Sequence, residues 1–382
     1  MFLKDLQIER FRIYENARLE RAGAFNLICG DNAQGKTSVL EALYCLGTTK
    51  SFKTSTNRDI IRSGAEETGI HGTLVQGTWR EKEEGAMTRS LSLSIRVTPE
   101  GGLRKRVGIN GKEAELLDYF SWIKVSSLTA EDDAVLLGGP EVRRRFLDRA
   151  IFNIHPRYLQ TVREYTHLLR EKRALLKEPH PNRRMIETWN RRLTSPGSRI
   201  LSARRRWLQR VAGRVRDYYR AISGTKGEVT LVYHSCIEDP PGQTMEEENC
   251  RNALHRKLEA ALAEEIATRQ TLIGPHRDEI EIRLDHRPAR RHASRGELKT
   301  LLLALKLSEI DEILEATGEE PILLVDEIGR EFDRHRIRFL LDLLGKRHCQ
   351  VFLTTPDLAR IPIDHLPEVR TFQVRQGRIE VL

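Results

Sequence analysis

Two short motifs at opposite ends of this chain constrain its fold more than any other feature. Gly30-Asp31-Asn32-Ala33-Gln34-Gly35-Lys36-Thr37 fits the pattern G-x-x-x-x-G-K-[ST]. The apolar run Phe25–Cys29 enters it, and Val39, Leu40, Leu43 and Leu46 leave it at helical spacing. Strand, loop and helix are the context a phosphate-binding loop requires. Its two glycines let backbone amides turn inward around phosphate oxygens, and the helix N-terminus behind adds partial positive charge. Lys36 reaches the β- and γ-phosphates, and the Thr37 hydroxyl is a magnesium ligand. The apolar strand that completes such a site, Pro321-Ile322-Leu323-Leu324-Val325-Asp326-Glu327, puts Asp326 290 residues beyond Lys36. Compact P-loop enzymes keep these elements in one run. Here both chain ends have to meet in one α/β lobe, with something large inserted between them.

In that pairing Asp326 would hold magnesium, directly or through water, and Glu327 would orient and deprotonate the attacking water. Alone, an apolar strand ending in Asp-Glu is also an ordinary solvated strand end. A third element, Ala293-Ser294-Arg295-Gly296-Glu297, leads into a helical pattern over Leu298–Ala316. A Ser-x-Gly turn at a helix start offers a hydroxyl and free amides to an anion, or simply caps the helix. Its place upstream of the Asp326 strand is where ABC-type ATPases carry their signature, which closes over nucleotide bound by a second subunit. Asp333 follows in a turn.

The insert differs in character from its frame. Between Pro140 and Arg220 stand 22 Lys and Arg against 7 Asp and Glu, a local +15 on a chain of net charge +9. The remainder is therefore acidic. A basic middle on an acidic frame points to a polyanion, most simply nucleic acid; the alternative is a solvated arginine-rich surface. Arg204, Arg205 and Arg206 are the candidate DNA contacts. Tyr158, Val162, Tyr165, Leu169 and Leu176 share one helical face, and Ile200, Ala203, Trp207, Val211, Val215, Tyr218 and Ile222 another. These predict an antiparallel helical arm broken at Pro179, Pro181 and Ser195-Pro196-Gly197. Its aromatics are read as core, with base stacking the alternative for Tyr218 or Tyr219.

Strands are expected over residues 68–79, 89–98, 122–128 and 228–235, with a hairpin turn at Asn110-Gly111. A charged helix over Thr244–Thr268 precedes a turn at Gly274-Pro275. The expected domains are residues 1–136 and 271–382 for the two parts of the head and 137–270 for the arm. The five cysteines are scattered, without C-x-x-C spacing, as expected of reduced thiols rather than a disulfide frame or zinc site. No apolar run is long enough to span a membrane, and no signal core follows Met1, so a cytoplasmic, membrane-free protein is expected.

Further stretches carry a resemblance. Leu40-Glu41-Ala42-Leu43 and Ser51-Phe52-Lys53-Thr54 follow the phosphate loop, and Arg143-Arg144-Arg145-Phe146-Leu147-Asp148 opens the arm. Gly274-Pro275-His276-Arg277-Asp278 and Leu303-Ala304-Leu305-Lys306-Leu307 precede the acidic strand. Together with the nucleotide motifs, along essentially the full length, these resemble the RecF family, related to SMC and Rad50 ATPases. The resemblance implies an ABC-type ATPase that binds ATP and Mg2+ and dimerises on ATP. It also implies binding of duplex, gapped or junction DNA, slow hydrolysis that reopens the clamp, cooperation with RecO and RecR in loading RecA, and a link to the SOS response. Gly30 to Thr37 with Asp326 would hold the nucleotide, completed by Ser294, Gly296 and Asp333.

Some positions depart from the family pattern. Glu297 stands where glutamine is usual, Lys299 near a usual arginine, and Asp326-Glu327 for a more typical Asp-Asp. Gly329-Arg330 precedes Glu331-Phe332-Asp333. Thr354-Thr355 replaces the switch histidine of transporters and suggests a polar contact to the γ-phosphate. Glu131 and Asp132 stand roughly where a coupling glutamine is expected. Phe11-Arg12 lies where related ATPases place a basic contact to nucleotide; His276 and Arg277 are open between a structural turn and a role near nucleotide or dimer seam. Three rivals remain: an SMC-like structural ATPase using ATP only to dimerise, a transporter ATPase subunit, and a monomeric P-loop kinase.

Overall fold

The computed structural model describes residues 2–75, 77, 87–238 and 246–382, apart from the side chain of Glu331. The chain divides into two units, residues 1–133 with 310–382 and residues 134–309. In chain order the strands are β1 (Phe2–Phe11), β2 (Tyr14–Leu19), β3 (Phe25–Cys29), β4 (Glu67–Val75), β5 (Thr88–Val97), β6 (Leu103–Ile109), β7 (Lys112–Glu113) and β8 (Val125–Leu128). There follow β9 (Val229–His234), β10 (Glu279–Leu284), β11 (Arg287–Pro288), β12 (Ile322–Val325), β13 (Val351–Thr355), β14 (Val369–Arg375) and β15 (Arg378–Val381).

In the first unit, β15-β14-β3-β13-β12-β8 form a sheet that is parallel from β14 to β8, with β15 antiparallel at one edge. Its strands β3, β8, β12 and β13 are buried at every residue; β12 is accordingly apolar throughout, while the other three carry the buried polar residues Asn26, Ser126, Ser127, Thr354 and Thr355. A second, antiparallel sheet runs β2-β1-β4-β5-β6-β7. The helix Lys36–Thr48 packs on β8 and β13 on one side and on β1, β4 and β5 on the other. A helix covered on both sides must be apolar almost all round, as this one is.

Buried amides tie the chain ends together. Gln350 accepts from the Leu3 N–H at 2.8 Å and donates to the carbonyls of Leu3 and Gly23 at 2.8 and 2.9 Å. Asn26 donates to Gly23 and Val351. Each of these polar groups would be costly to bury unpaired. The Asn110-Gly111 hairpin is present between β6 and β7, both residues at positive φ as a type I′ turn demands. The strand expected over 68–79 ends at Val75; residues 76, 78 and 79 lie outside the described residues.

The second unit packs the helices Tyr158–Lys177, Arg183–Ser223 and Glu247–Ala260 on one another, beside the three-stranded sheet β11-β10-β9. Three expectations are corrected here. The Arg183–Ser223 helix runs 41 residues straight through Pro196. Packing holds it: Gly197 lies so close to Leu254 and Tyr165 that a Cβ would clash, and the Thr194 hydroxyl caps the Asn190 carbonyl. The expected Thr244–Thr268 helix is two, Glu247–Ala260 and Leu262–Thr268, and residues 244–245 lie outside the described residues. The expected return to the head at residue 271 falls instead at Ile310, because β10 pairs along its whole length with β9 of the arm.

The arm's aromatics are core. Tyr158, Tyr165, Trp207 and Tyr219 are buried, so Tyr219 has no face for a base, and Tyr218 is partly covered. The core also holds ions. Lys172 and Glu265 meet at 2.6 Å, and Arg143 grips Glu279 with two hydrogen bonds at 2.6 and 2.7 Å.

Candidate nucleotide site

The phosphate loop hangs between β3 and the Lys36–Thr48 helix, and its shape depends on its glycines. Gly30 has φ 143° and its α-carbon presses on the Val374 carbonyl, where a Cβ would come within 2.4 Å. Gly35 has φ 111°, and a Cβ there would strike Ile13 and Tyr14. Two neighbouring turns hold the loop. The Tyr14 hydroxyl donates to the Gly35 carbonyl at 3.0 Å, and the Gln34 side-chain carbonyl accepts the Gln376 N–H at 2.7 Å. The Lys36 ammonium sits over the loop and donates to the carbonyls of Gly30 and Asp31, both at 2.8 Å. Burial lowers its pKa; the charges of Glu327 and Asp326 oppose that shift.

The distant acidic strand arrives because β12 lies next to β13, which pairs with β3. Thr37 Oγ1 donates to Asp326 Oδ1 at 3.0 Å, across 289 positions of sequence. Thr354, at the tip of β13, donates to the same oxygen at 2.6 Å. Burial raises the Asp326 pKa, against the two hydroxyls that stabilise its charged form. Glu327 follows in the left-handed region, φ 45° and ψ 46°, which non-glycine residues seldom occupy. Its N–H donates to Thr354 Oγ1 at 2.7 Å, and Arg330 reaches its carboxylate at 3.1 Å. Lys53 contributes positive charge at Asp326, a role the sequence did not reveal.

The oxygens of Thr37 and Asp326 suit a hard cation. Magnesium takes few protein ligands and completes its octahedron with phosphate and water. Thr37 and Asp326 would hold it here, where it would neutralise charge on the β- and γ-phosphates.

Other candidates fall elsewhere. Ser294 and Gly296 are exposed at the start of the Arg295–Thr317 helix, in the second unit. There the Ser294 hydroxyl accepts the Glu297 N–H at 3.3 Å, and the Glu297 carboxylate accepts the Ser294 N–H at 2.7 Å. This is a capping box, which the glutamate at 297 makes as a glutamine would. Asp333 caps the Arg334–Gly345 helix, accepting the Arg336 N–H at 2.9 Å and pairing with the Arg336 side chain. Its carboxylate is committed to that turn rather than to the Thr37–Asp326 group. Asp132 likewise caps a turn at Thr129.

Arg12 is committed as well. It makes two hydrogen bonds to the buried Glu41, at 2.9 and 2.6 Å, and a third to the Asp59 carbonyl. Glu41 in turn accepts from Ser51, which explains the pairing of the Leu40–Leu43 and Ser51–Thr54 stretches. The polar contact expected of Thr354-Thr355 is also spent. Thr354 donates to Asp326, and Thr355 donates to the Asp357 carbonyl at 2.9 Å.

Two of the three proposed DNA contacts are corrected. Arg204 is buried and makes a two-pronged bridge to Asp148, both bonds at 2.9 Å, with Nη1 donating to the Pro275 carbonyl at 2.7 Å and to Asp278. Arg205 is buried too, donating to the Ile237 carbonyl at 2.7 Å with its guanidinium 5.2 Å from the Tyr233 ring centre. Both lie on the inner face of the long helix; Arg206 alone of the three is exposed.

The same bonds explain the two most distinctive stretches. Arg143, Arg144 and Asp148 meet Glu279, the Asp278 carbonyl and Arg204, so the stretch opening the arm is clamped to the Gly274–Asp278 turn. His276 sits between the Tyr165 hydroxyl, 2.7 Å from Nδ1, and Thr271 Oγ1, 3.1 Å from Nε2. Arg277 donates to the Thr271 carbonyl. These bonds fix the turn within the arm.

The RecF/RecN/SMC N-terminal domain profile matches residues 2–362. The DNA replication and repair protein RecF of Citrifermentans bemidjiense is 34% identical over 387 residues, covering 99% of this chain and 100% of its own length. That of Geobacter sp. strain M21 is 34% identical over 380 residues with the same coverage. Among solved structures, the recombination mediator protein RecF-ATPrS of the RecFOR pathway superposes with a TM-score of 0.86 at 25% identity, covering 100% of this chain and 98% of that one. An Smc head bound to the C-winged helix domain of ScpA shares the fold alone, with a TM-score of 0.56 at 15% identity, 100% of this chain and 97% of that one.

Proposed function

This chain belongs to the RecF family of the RecF/RecN/SMC N-terminal domain, and from that premise we propose that it acts as an ATP-dependent DNA clamp of DNA replication and recombinational repair. It is an ABC-type ATPase. Lys36 and the loop amides bind the nucleotide phosphates, Thr37 and Asp326 would hold Mg2+, and Glu327 activates the attacking water. The observation that carries the reading is the Thr37–Asp326 hydrogen bond, which joins the two chain ends beside Glu327.

Ser294 and Gly296 of a second copy complete the site, so ATP binding drives dimerisation and hydrolysis releases it. Their exposure and the capped helix start support this use. DNA is held through phosphates, and therefore salt-sensitively, by exposed arginines of the long helix: Arg206, with Arg199 and Arg192 one and two heptads earlier. The finer role is to help RecO and RecR load RecA at gapped or stalled-fork DNA, with a link to the SOS response.

Sedimentation with ATP, ADP or no nucleotide, with and without DNA, tests this. An ATP-specific dimer that binds DNA supports the clamp; a monomer in every condition overturns it. Ser294→Arg should keep ATP binding and lose the dimer. Wild-type turnover no faster than that of Glu327→Gln would favour a structural ATPase instead.

A further inference from the structure

Glu327 stands in a backbone conformation that glutamate seldom adopts, and one side chain answers for it. Thr354 is fully buried at the tip of β13. Its single hydroxyl makes two bonds of opposite sense: it donates to Asp326 Oδ1 at 2.6 Å and accepts the Glu327 N–H at 2.7 Å. The β12–β13 ladder ends with Val325 opposite Leu353; past it the Asp326 N–H still donates to the Leu128 carbonyl of β8 at 3.0 Å, whereas the Glu327 N–H turns to the threonine. The threonine hydroxyl continues the pairing past the last rung. It bonds Asp326 through its side chain and Glu327 through its backbone.

We propose that Thr354 is a positioning residue for ATP hydrolysis, orienting the water-activating Glu327 and the magnesium-holding Asp326 as one unit. This rests on the catalytic reading of Glu327 given above. The hydroxyl is too deeply buried to touch nucleotide itself, so its effect passes through the two acids. A left-handed residue persists only where its surroundings over-determine it. Here the N–H bond supplies that restraint, and with it the direction in which the Glu327 side chain leaves the strand. General bases act only within hydrogen-bond reach of the proton they take, so a small swing of this carboxylate is expensive in rate.

The test uses the full-length protein. Thr354→Val keeps the volume and removes the hydroxyl; Thr354→Ser keeps the hydroxyl and removes a methyl. The expectation is that Thr354→Val lowers kcat about 10- to 100-fold with ATP affinity, measured by equilibrium binding, within about threefold of wild type. Thr354→Ser should retain kcat within about threefold. In a Glu327→Gln background, Thr354→Val should cost little more, because residues acting as one unit are not additive. The proposal is overturned if Thr354→Val turns over like wild type, if valine and serine lose kcat alike, or if the two losses multiply. It is also overturned if ATP affinity falls in step with kcat, which would mark a general collapse of the site. Glu327→Gln separates the two levels. If Glu327→Gln is inactive while Thr354→Val is active, only the positioning role fails. If Glu327→Gln turns over normally, the catalytic reading fails and takes this one with it.

Discussion

Lys36 and Arg204 are buried to the same degree, each 4% exposed, yet they are held in opposite ways. Lys36 rests on two backbone carbonyls, which can neutralise only part of its charge. Arg204 is enclosed by the carboxylates of Asp148 and Asp278. Burial works against the charge at both residues. At Lys36 it prevails and the pKa falls. At Arg204 burial is outweighed, chiefly by the charge and hydrogen bonds of Asp148, and the pKa rises. A buried cation matched by carboxylates is architecture. One hydrogen-bonded to carbonyls, with carboxylates acting on it only through space, keeps its charge for an anion that is still to arrive.

The comparison breaks first at Arg204. Arg204→Ala leaves the buried Asp278 without its cation, and breaking such a pair costs about 3–5 kcal/mol of stability. Chemical denaturation measures this, and an unchanged midpoint would refute the structural assignment. Lys36→Ala should do the reverse. Equilibrium ATP binding should weaken by about 100-fold or more, since a charge-assisted contact inside a closed site is lost. Stability without nucleotide should stay within about 1 kcal/mol of wild type, because no carboxylate is orphaned. If the two variants traded phenotypes, the distinction between matched and unmatched cations would be wrong.

The sequence disclosed the Lys36 side of this contrast far better than the Arg204 side. Gly30, Gly35, Lys36 and Thr37 act through one local loop, so their spacing contains the chemistry. Asp326 was legible because a buried parallel strand is apolar throughout and ends abruptly in charge. Arg204 and Arg205 were misread because a charge count registers residue type and not partner. A signal was present: Arg204 lies four residues after Ile200 and four before Leu208, on the buried stripe of its helix. Its partners Asp148 and Asp278 stand inside the two distinctive stretches, but no local rule links positions 56 and 74 residues away. The same limit hid the roles of Gln350 and Thr354, and the uninterrupted helix through Pro196, where tertiary packing overrides propensity.

His276 offers a subtler test, through pH. Burial pushes its pKa down to about 3, from an ordinary value near 6.5. The folded state therefore binds its proton far less readily than the unfolded chain. Stability from this group is fully present above about pH 6.5 and is lost as pH falls toward 3, at up to about 1.4 kcal/mol per pH unit. Between pH 6.5 and 5 the expected loss is about 1.6 kcal/mol. His276→Gln removes that titration. Denaturation at the two pH values should show a shallower fall for the variant than for wild type. Equal slopes would mean that the ring is solvated and the Gly274–Asp278 turn looser than its bonds to Tyr165 and Thr271 imply.

The smallest stability effect, and the sharpest contrast, belongs to Arg206. It is two residues from Arg204 on the same helix, and it faces outward. Arg206→Glu should change stability by no more than about 0.5 kcal/mol, as surface substitutions do. What it should change is DNA binding. Each phosphate neutralised by a cation releases condensed counterions, so losing one contact lowers the slope of log K against log salt by about 1. Affinity should fall uniformly across DNA sequences, since a phosphate contact reads none. A titration of duplex DNA at several salt concentrations measures both quantities. An unchanged slope would make Arg206 a solvated charge and move the DNA surface off this face of the helix. A loss of stability as large as that of Arg204→Ala would instead show that burial is no guide to which of these neighbouring arginines builds the arm and which one works on its surface.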